Sequence, residues 1–133
     1  TMILVLLSVG LLAGFALSAD VSMITKDQLK AMLGKPDLVI FDFRLAGDYS
    51  SSDLKIKGAV RSTAFCSAEA VQPYSKEHTF VFYCASPNEE RSVMNLKHLA
   101  TCGVYRAEAY KKVYVLKGGW EEWLKANYPT EKK

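Results

Sequence analysis

Thr79-Phe80-Val81-Phe82-Tyr83-Cys84-Ala85-Ser86-Pro87-Asn88-Glu89-Glu90-Arg91-Ser92 sets a cysteine at the junction of an apolar run and a helix signal. Residues 79–83 are all β-branched or aromatic, and a run that short reads as a buried strand. Ser86 is placed to act as N-cap, Pro87 suits the first helical position, and Glu89 completes a Ser-x-x-Glu capping box. The spacing therefore predicts a helix that starts at Pro87. Unpaired amides at such a start carry partial positive charge. They favour thiolate over thiol at Cys84 and can hold an anion, or a sulfur-borne negative charge, against the backbone.

The segments on either side alternate helix and strand. Thr25 and Gln28 form a capping box, Ile24 and Leu29 a hydrophobic staple, and Leu29, Met32 and Leu33 the buried face of a helix that Gly34 and Pro36 end. Leu38-Val39-Ile40-Phe41 is apolar without alternation, as a strand covered on both faces of a parallel sheet must be. Asp42-Phe43-Arg44 leaves its end, and the polar segment through Gly47, Tyr49 and Ser50–Ser52 reads as loop with one helical turn. Residues 56–60 are expected to form a short strand near a sheet edge, and residues 64–71 a helical turn before Pro73. Val93, Leu96, Leu99 and Ala100 recur at helical spacing until Gly103. Val113–Leu116 is the last expected strand, Gly118-Gly119 a turn, and 120–125 a closing helix that packs Trp120 and Trp123 on the core. This alternation calls for an α/β fold with a parallel sheet, whose ligands bind beyond the carboxyl ends of the strands, where Cys84 lies.

The 133 residues suit one hydrophobic core, and the net charge of +3 is dispersed, with Lys132-Lys133 the only basic pair near a terminus. No nucleic-acid surface is expected. Residues 2–17 are almost all apolar, Asp20 is the first charge, and Ser18 and Ala19 are small residues suited to signal-peptidase cleavage. Residues 1–19 thus read as an export signal ahead of a domain over 20–133, the alternative being an uncleaved membrane anchor. Export places the protein in the periplasm or outside the cell, with membrane attachment only if the segment is retained. Three cysteines are an odd number for an exported chain. Cys84 is the candidate thiol, while Cys66 and Cys102 read as small buried hydrophobes or as partners of each other. His78 and His98 are isolated, no cysteines share metal-ligand spacing, and neither a metal nor a cofactor is expected.

These residues resemble the rhodanese domain, the single-domain sulfurtransferase family. The resemblance covers roughly residues 22–130 and rests on the order of its parts. They are Asp42-x-Arg44 after the first core strand, Tyr49 beyond it, Ile56-x-Gly58-Ala59, the Tyr83-Cys84 strand end, and Leu116-x-Gly118-Gly119-x-x-x-Trp123. Each is weak alone; together they are specific. The resemblance implies a parallel sheet of four to five strands with helices on both faces. It also implies a cysteine that takes sulfane sulfur from a donor, holds it as a persulfide in a cradle of backbone amides, and passes it to a nucleophile. A persulfide's terminal sulfur is anionic, so convergent N–H donors serve it better than an acid or base side chain.

The chain also departs from the family pattern. Six residues separate Cys84 from Arg91, against four in the commoner single-domain members and five in the related cell-cycle phosphatases. The loop looks more like a subgroup with Cys-x-Cys-Pro-Asn-Glu, but Ser86 stands where the second cysteine would be, which removes a vicinal disulfide. Pro87 deletes one amide donor, and Glu89 and Glu90 put two carboxylates near a site meant for anions. Thiosulfate is expected to be a poor substrate.

The expected function is sulfur transfer through a persulfide on Cys84, with thiosulfate or a thiol persulfide as donor. Ala85, Ser86, Asn88, Glu89, Glu90 and Arg91 are the candidate substrate-binding residues. Arg91 has a second reading as a surface arginine paired with a glutamate. Asp42 and Arg44 read as a structural ion pair rather than catalysts. The partners expected are a small sulfur compound, a thiol acceptor, and a redox or sulfur-carrier protein. The alternative is a non-catalytic module of the same fold that binds a protein or small thiol, which the altered loop favours. A cysteine phosphatase is a third reading, opposed by the six-residue gap and the paired glutamates.

Overall fold

The computed structural model describes residues 22–62, 70–85, 89, 92–93 and 110–133. After a two-residue strand β1 (Met23–Ile24), helix α1 (Lys26–Met32) forms as its capping signals require. Thr25 Oγ1 accepts from the Gln28 amide at 3.1 Å, and the Gln28 side chain accepts from the Thr25 amide at 3.0 Å. Ile24 and Leu29 enter one core cluster, as the staple predicts. The chain continues through β2 (Leu38–Asp42), a single helical turn α2 (Ala46–Ser50), β3 (Leu54–Ile56) and β4 (Val60–Arg61). It then runs through β5 (Thr79–Tyr83), β6 (Val113–Leu116), α3 (Gly119–Lys125) and β7 (Thr130–Lys132).

Five strands make a parallel sheet in the order β1-β6-β5-β2-β4, which puts β5 in the middle. Alternation along β2 and β5 divides the core in two. Ile40, Val81, Tyr83 and Leu116 face α1 and α3, where they meet Leu29, Trp120 and Trp123. Val39, Phe41, Phe80 and Phe82 face the other way, into an aromatic layer with Phe43, Tyr74 and Tyr110 that Val71, in a helical turn, also joins. Phe82 stacks on Phe41 and Phe43 with centroids 5.2 and 5.0 Å apart. The parallel sheet with helical residues on both faces is the α/β architecture expected.

Residues 56–60 do not form one strand. Gly58 has φ +81° and Ala59 donates to the Ile56 carbonyl at 2.9 Å, so this stretch is a tight turn that only a residue without Cβ adopts comfortably. The turn separates β3, which pairs antiparallel with β7 in a small second sheet, from β4, which takes the edge of the main one. Strands β1 and β7, with two and three residues, were not foreseen because neither is long enough to show a period. The expected helix beyond Val93, the turn over 64–69 and the leader over 1–19 lie outside the described residues. Among the described residues no helix is long and apolar enough to cross a membrane.

Trp123 is fully buried, and its Nε1 donates to the Pro129 carbonyl at 3.0 Å, tying α3 to the approach of β7. Trp123→Ala is expected to cost about 3–5 kcal/mol, from the lost volume and the unpaired carbonyl, measured by denaturant unfolding.

Candidate active site

Cys84 follows the central strand directly and is 2% exposed. Its position is fixed from two sides. The Tyr83 carbonyl accepts from the Phe43 amide at 2.9 Å, which extends the β2–β5 ladder to its last rung. The Cys84 carbonyl accepts from the Trp120 amide, also at 2.9 Å, so the first turn of α3 grips the backbone of the candidate nucleophile. Ala85, beside Cys84, is half-buried.

Glu89 differs from its sequence reading. A capping-box glutamate must have helical backbone, but Glu89 has φ +57°. Its carbonyl accepts from the Val93 amide at 2.9 Å, a bond of helical spacing, and the helix start expected at Pro87 lies outside the described residues. Its carboxylate accepts from the Gly118 amide, at the N-cap of α3, a tertiary partner that a local capping signal does not announce. Gly118 is itself constrained, with φ +81° and a would-be Cβ 2.5 Å from Glu122 Cγ. Ser86, Asn88, Glu90 and Arg91 lie outside the described residues.

At the end of β2 the expected ion pair is present and wholly buried. Arg44 Nε stands 3.0 Å from both oxygens of Asp42, Nη2 lies 2.7 Å from Oδ2, and the Arg44 amide donates to Oδ1 at 3.1 Å. Nη2 also donates to the Leu54 carbonyl at 2.9 Å. The guanidinium lies over the Trp120 ring at 4.4 Å and the Tyr49 ring at 5.1 Å. Burial disfavours the Arg44 cation, but the hydrogen bond to Asp42 and the nearby negative charge outweigh it, and its pKa is raised. Tyr83 hydroxyl donates to Asp42 Oδ2 at 2.7 Å and accepts from the Ile56 amide at 3.3 Å. Burial, then the charge and hydrogen bond of Asp42, push this phenol far above the usual tyrosine range.

Three residues of this network are not among the expected site residues. Arg61 donates to the carbonyls of Asp42 and Arg44, Tyr83 reads from sequence as the strand end before Cys84, and Trp120 reads as core. The one usable clue was Tyr83 itself, since a buried phenol needs a partner and Asp42 is the polar residue opposite it in register.

A groove of about 500 Å³ opens beside Glu89, at the carboxyl ends of β1 and β6. Thr25, Lys26, Asp27, Glu89, Lys117, Gly118 and Glu122 line it.

A parallel sheet whose central strand delivers a buried cysteine to its carboxyl end, beside the start of a helix, is an α/β domain with a candidate site at its strand ends. The Rhodanese-like domain family matches residues 25–126, and the chain belongs to that family. Solved structures agree on the fold. The BH2092 protein of Bacillus halodurans superposes with a TM-score of 0.66 at 23% identity, covering 84% of this chain and 77% of its own. A protein of Rhodopseudomonas palustris described as a possible tyrosine phosphatase gives 0.60 at 27% identity, over 84% of this chain and 85% of its own. The thiosulfate sulfurtransferase of Pseudomonas aeruginosa gives 0.62 at 22%, over 84% of this chain and 19% of its own. No curated protein sequence gives a significant match.

Two outcomes test the buried network. Asp42→Asn leaves Arg44 an uncompensated buried cation and is expected to cost about 3–5 kcal/mol in denaturant unfolding. Tyr83 has a pKa raised above its unfolded value of 10.0, so the contribution of the neutral phenol is fully present below pH 10 and is lost as the pH rises beyond it. Stability should fall above that point with a one-proton slope of up to about 1.4 kcal/mol per pH unit, which Tyr83→Phe removes.

Proposed function

We propose that this protein is a sulfurtransferase or persulfide carrier with Cys84 as its nucleophile. The observation that carries the reading is the place of Cys84, at the carboxyl end of the central strand of a rhodanese-like domain, with its carbonyl held by the start of α3. The Cys84 thiolate attacks the outer, sulfane sulfur of a donor. A sulfur–sulfur bond forms, the donor's own bond to that sulfur breaks, and the leaving group departs with the electron pair, as sulfite from thiosulfate or as a thiolate from an organic persulfide. Cys84 then carries a persulfide whose terminal sulfur bears the negative charge. Amides of the segment from Ala85 to Arg91, Pro87 excepted, are proposed to receive that charge, with Ser86, Asn88, Glu89, Glu90 and Arg91 around the donor. A thiolate acceptor attacks the terminal sulfur and releases the Cys84 thiolate, which closes the cycle without a metal or cofactor. The acceptor is a small thiol, or a redox or sulfur-carrier protein, and the export read from residues 1–19 belongs to the same proposal.

A cysteine phosphatase is the second reading, favoured by the fold shared with the R. palustris protein. The Glu89 carboxylate opposes it, since its charge repels a phosphate monoester dianion.

The test is to incubate the reduced protein with thiosulfate, and separately with a low-molecular-weight persulfide, and to map added sulfur by intact mass and peptide analysis. One sulfur on Cys84, absent in Cys84→Ser and discharged by cyanide or a thiol, is expected. No addition from either donor to a Cys84 that still reacts with an alkylating reagent would overturn the reading and leave the binding module in its place.

A further inference from the structure

Glu89 combines two costs that its surroundings must offset. A non-glycine residue at φ +57° stores roughly 1 kcal/mol or more of backbone strain, and a half-buried carboxylate gives up part of its hydration. What it gains is a charge-assisted hydrogen bond to the Gly118 amide. Gly118 is two residues ahead of Trp120, whose amide holds the Cys84 carbonyl. The carboxylate and the backbone of the nucleophile are therefore bracketed by one turn of α3, which sets them within about 10 Å of each other.

Among the described residues, the charges that share a groove with this carboxylate do not cancel it. In the groove that Glu89 lines, Lys26 and Lys117 face Asp27, Glu89 and Glu122, which leaves the described lining net negative. An anion that enters this groove meets repulsion, and a donor without net negative charge does not.

We infer that Glu89 is a specificity-determining residue. Its fixed carboxylate turns the site away from dianionic thiosulfate and towards organic persulfides of low net charge, such as the persulfide of an amine-bearing thiol. The inference rests on the sulfur-transfer reading only for the naming of the donor; the charge filter at Cys84 stands or falls separately. In the favoured step the Cys84 thiolate takes the terminal sulfur of R–S–SH, the R–S to sulfur bond breaks, and R–S⁻ leaves with the electron pair.

The experiment compares alkylation of Cys84 by anionic iodoacetate and by neutral iodoacetamide, in the unmodified protein and in Glu89→Gln. Glutamine keeps an oxygen for the Gly118 amide and removes only the charge. The iodoacetate-to-iodoacetamide rate ratio is expected to rise roughly 3- to 10-fold in Glu89→Gln, as for one unit charge at this separation in a partly screened medium. Glu121→Gln, on the same helix but paired with Lys125 at 3.0 Å, should leave it unchanged. Raising the salt concentration should move the unmodified protein's ratio towards that of Glu89→Gln, an arm that requires no variant to fold. The ratio of loading from thiosulfate to loading from cysteamine persulfide should rise in parallel. A ratio unmoved by both Glu89→Gln and salt overturns the inference, as does a Cys84 that neither reagent reaches. A ratio that moves while no donor loads sulfur upholds the charge filter and sinks the sulfur-transfer reading.

Discussion

The Asp42 carboxylate is buried completely, and most of the architecture near the site is arranged so that it can be. An isolated carboxylate there would protonate or force the chain open. Arg44 neutralises it through a fork geometry, Tyr83 adds a neutral donor, and Arg61 stands 3.9 Å from its Oδ1. Each partner comes from a different place. Tyr83 ends β5, Arg61 ends β4, and the Arg44 guanidinium reaches on to the Leu54 carbonyl in β3. Satisfying one charge thus fixes three neighbouring strands of the main sheet against one another and against the small sheet of β3 and β7. Such a pair adds little net stability compared with apolar packing. It does penalise every arrangement in which the ends of β2 and β5 are out of register, and those ends deliver Cys84.

The other half of the site depends on α3. Its first turn gives the Trp120 amide to Cys84 and the Gly118 amide to Glu89, so one short segment holds the loop at both ends. Trp120 also lies over the Arg44 guanidinium, and Trp123 anchors the same helix in the core. The ion pair, the Cys84 backbone and the Glu89 carboxylate therefore all bear on α3, and a shift in α3 would be felt at each.

Legibility in the sequence follows the range of the interactions involved. Strands β2 and β5 were readable because burial on both faces leaves a continuous apolar run, and α1 because its caps lie within three residues of each other. Glu89 was misread for the complementary reason. A local capping signal was present, but the carboxylate's partner is 29 residues away at Gly118, and no periodicity reports such a pairing. The turn at Gly58 was hidden in the same way. Ile56 and Val60 look like one strand until the antiparallel pairing with β7 draws the first away from the main sheet. Asp42-x-Arg44 lay between these cases, with a pair visible in two letters and its Tyr83 and Arg61 partners supplied by register alone.

Fold alone does not choose a chemistry here, since the same architecture serves a thiosulfate sulfurtransferase and a possible tyrosine phosphatase. Both the thiosulfate and phosphate monoester substrates are dianions, and both need positive potential ahead of the nucleophile. In this chain the N-cap amide of α3 is already engaged by a carboxylate of the protein itself. That arrangement keeps the positive end of the amide from acting on an incoming anion and adds a negative charge close by. It also costs backbone strain at Glu89, which a capping glutamate in helical geometry would have avoided. An interaction that is strained, tertiary and electrostatically adverse to dianions is poorly explained as mere loop packing, for which an uncharged side chain would serve as well. That charge is what the donor selectivity inferred for Glu89 rests on.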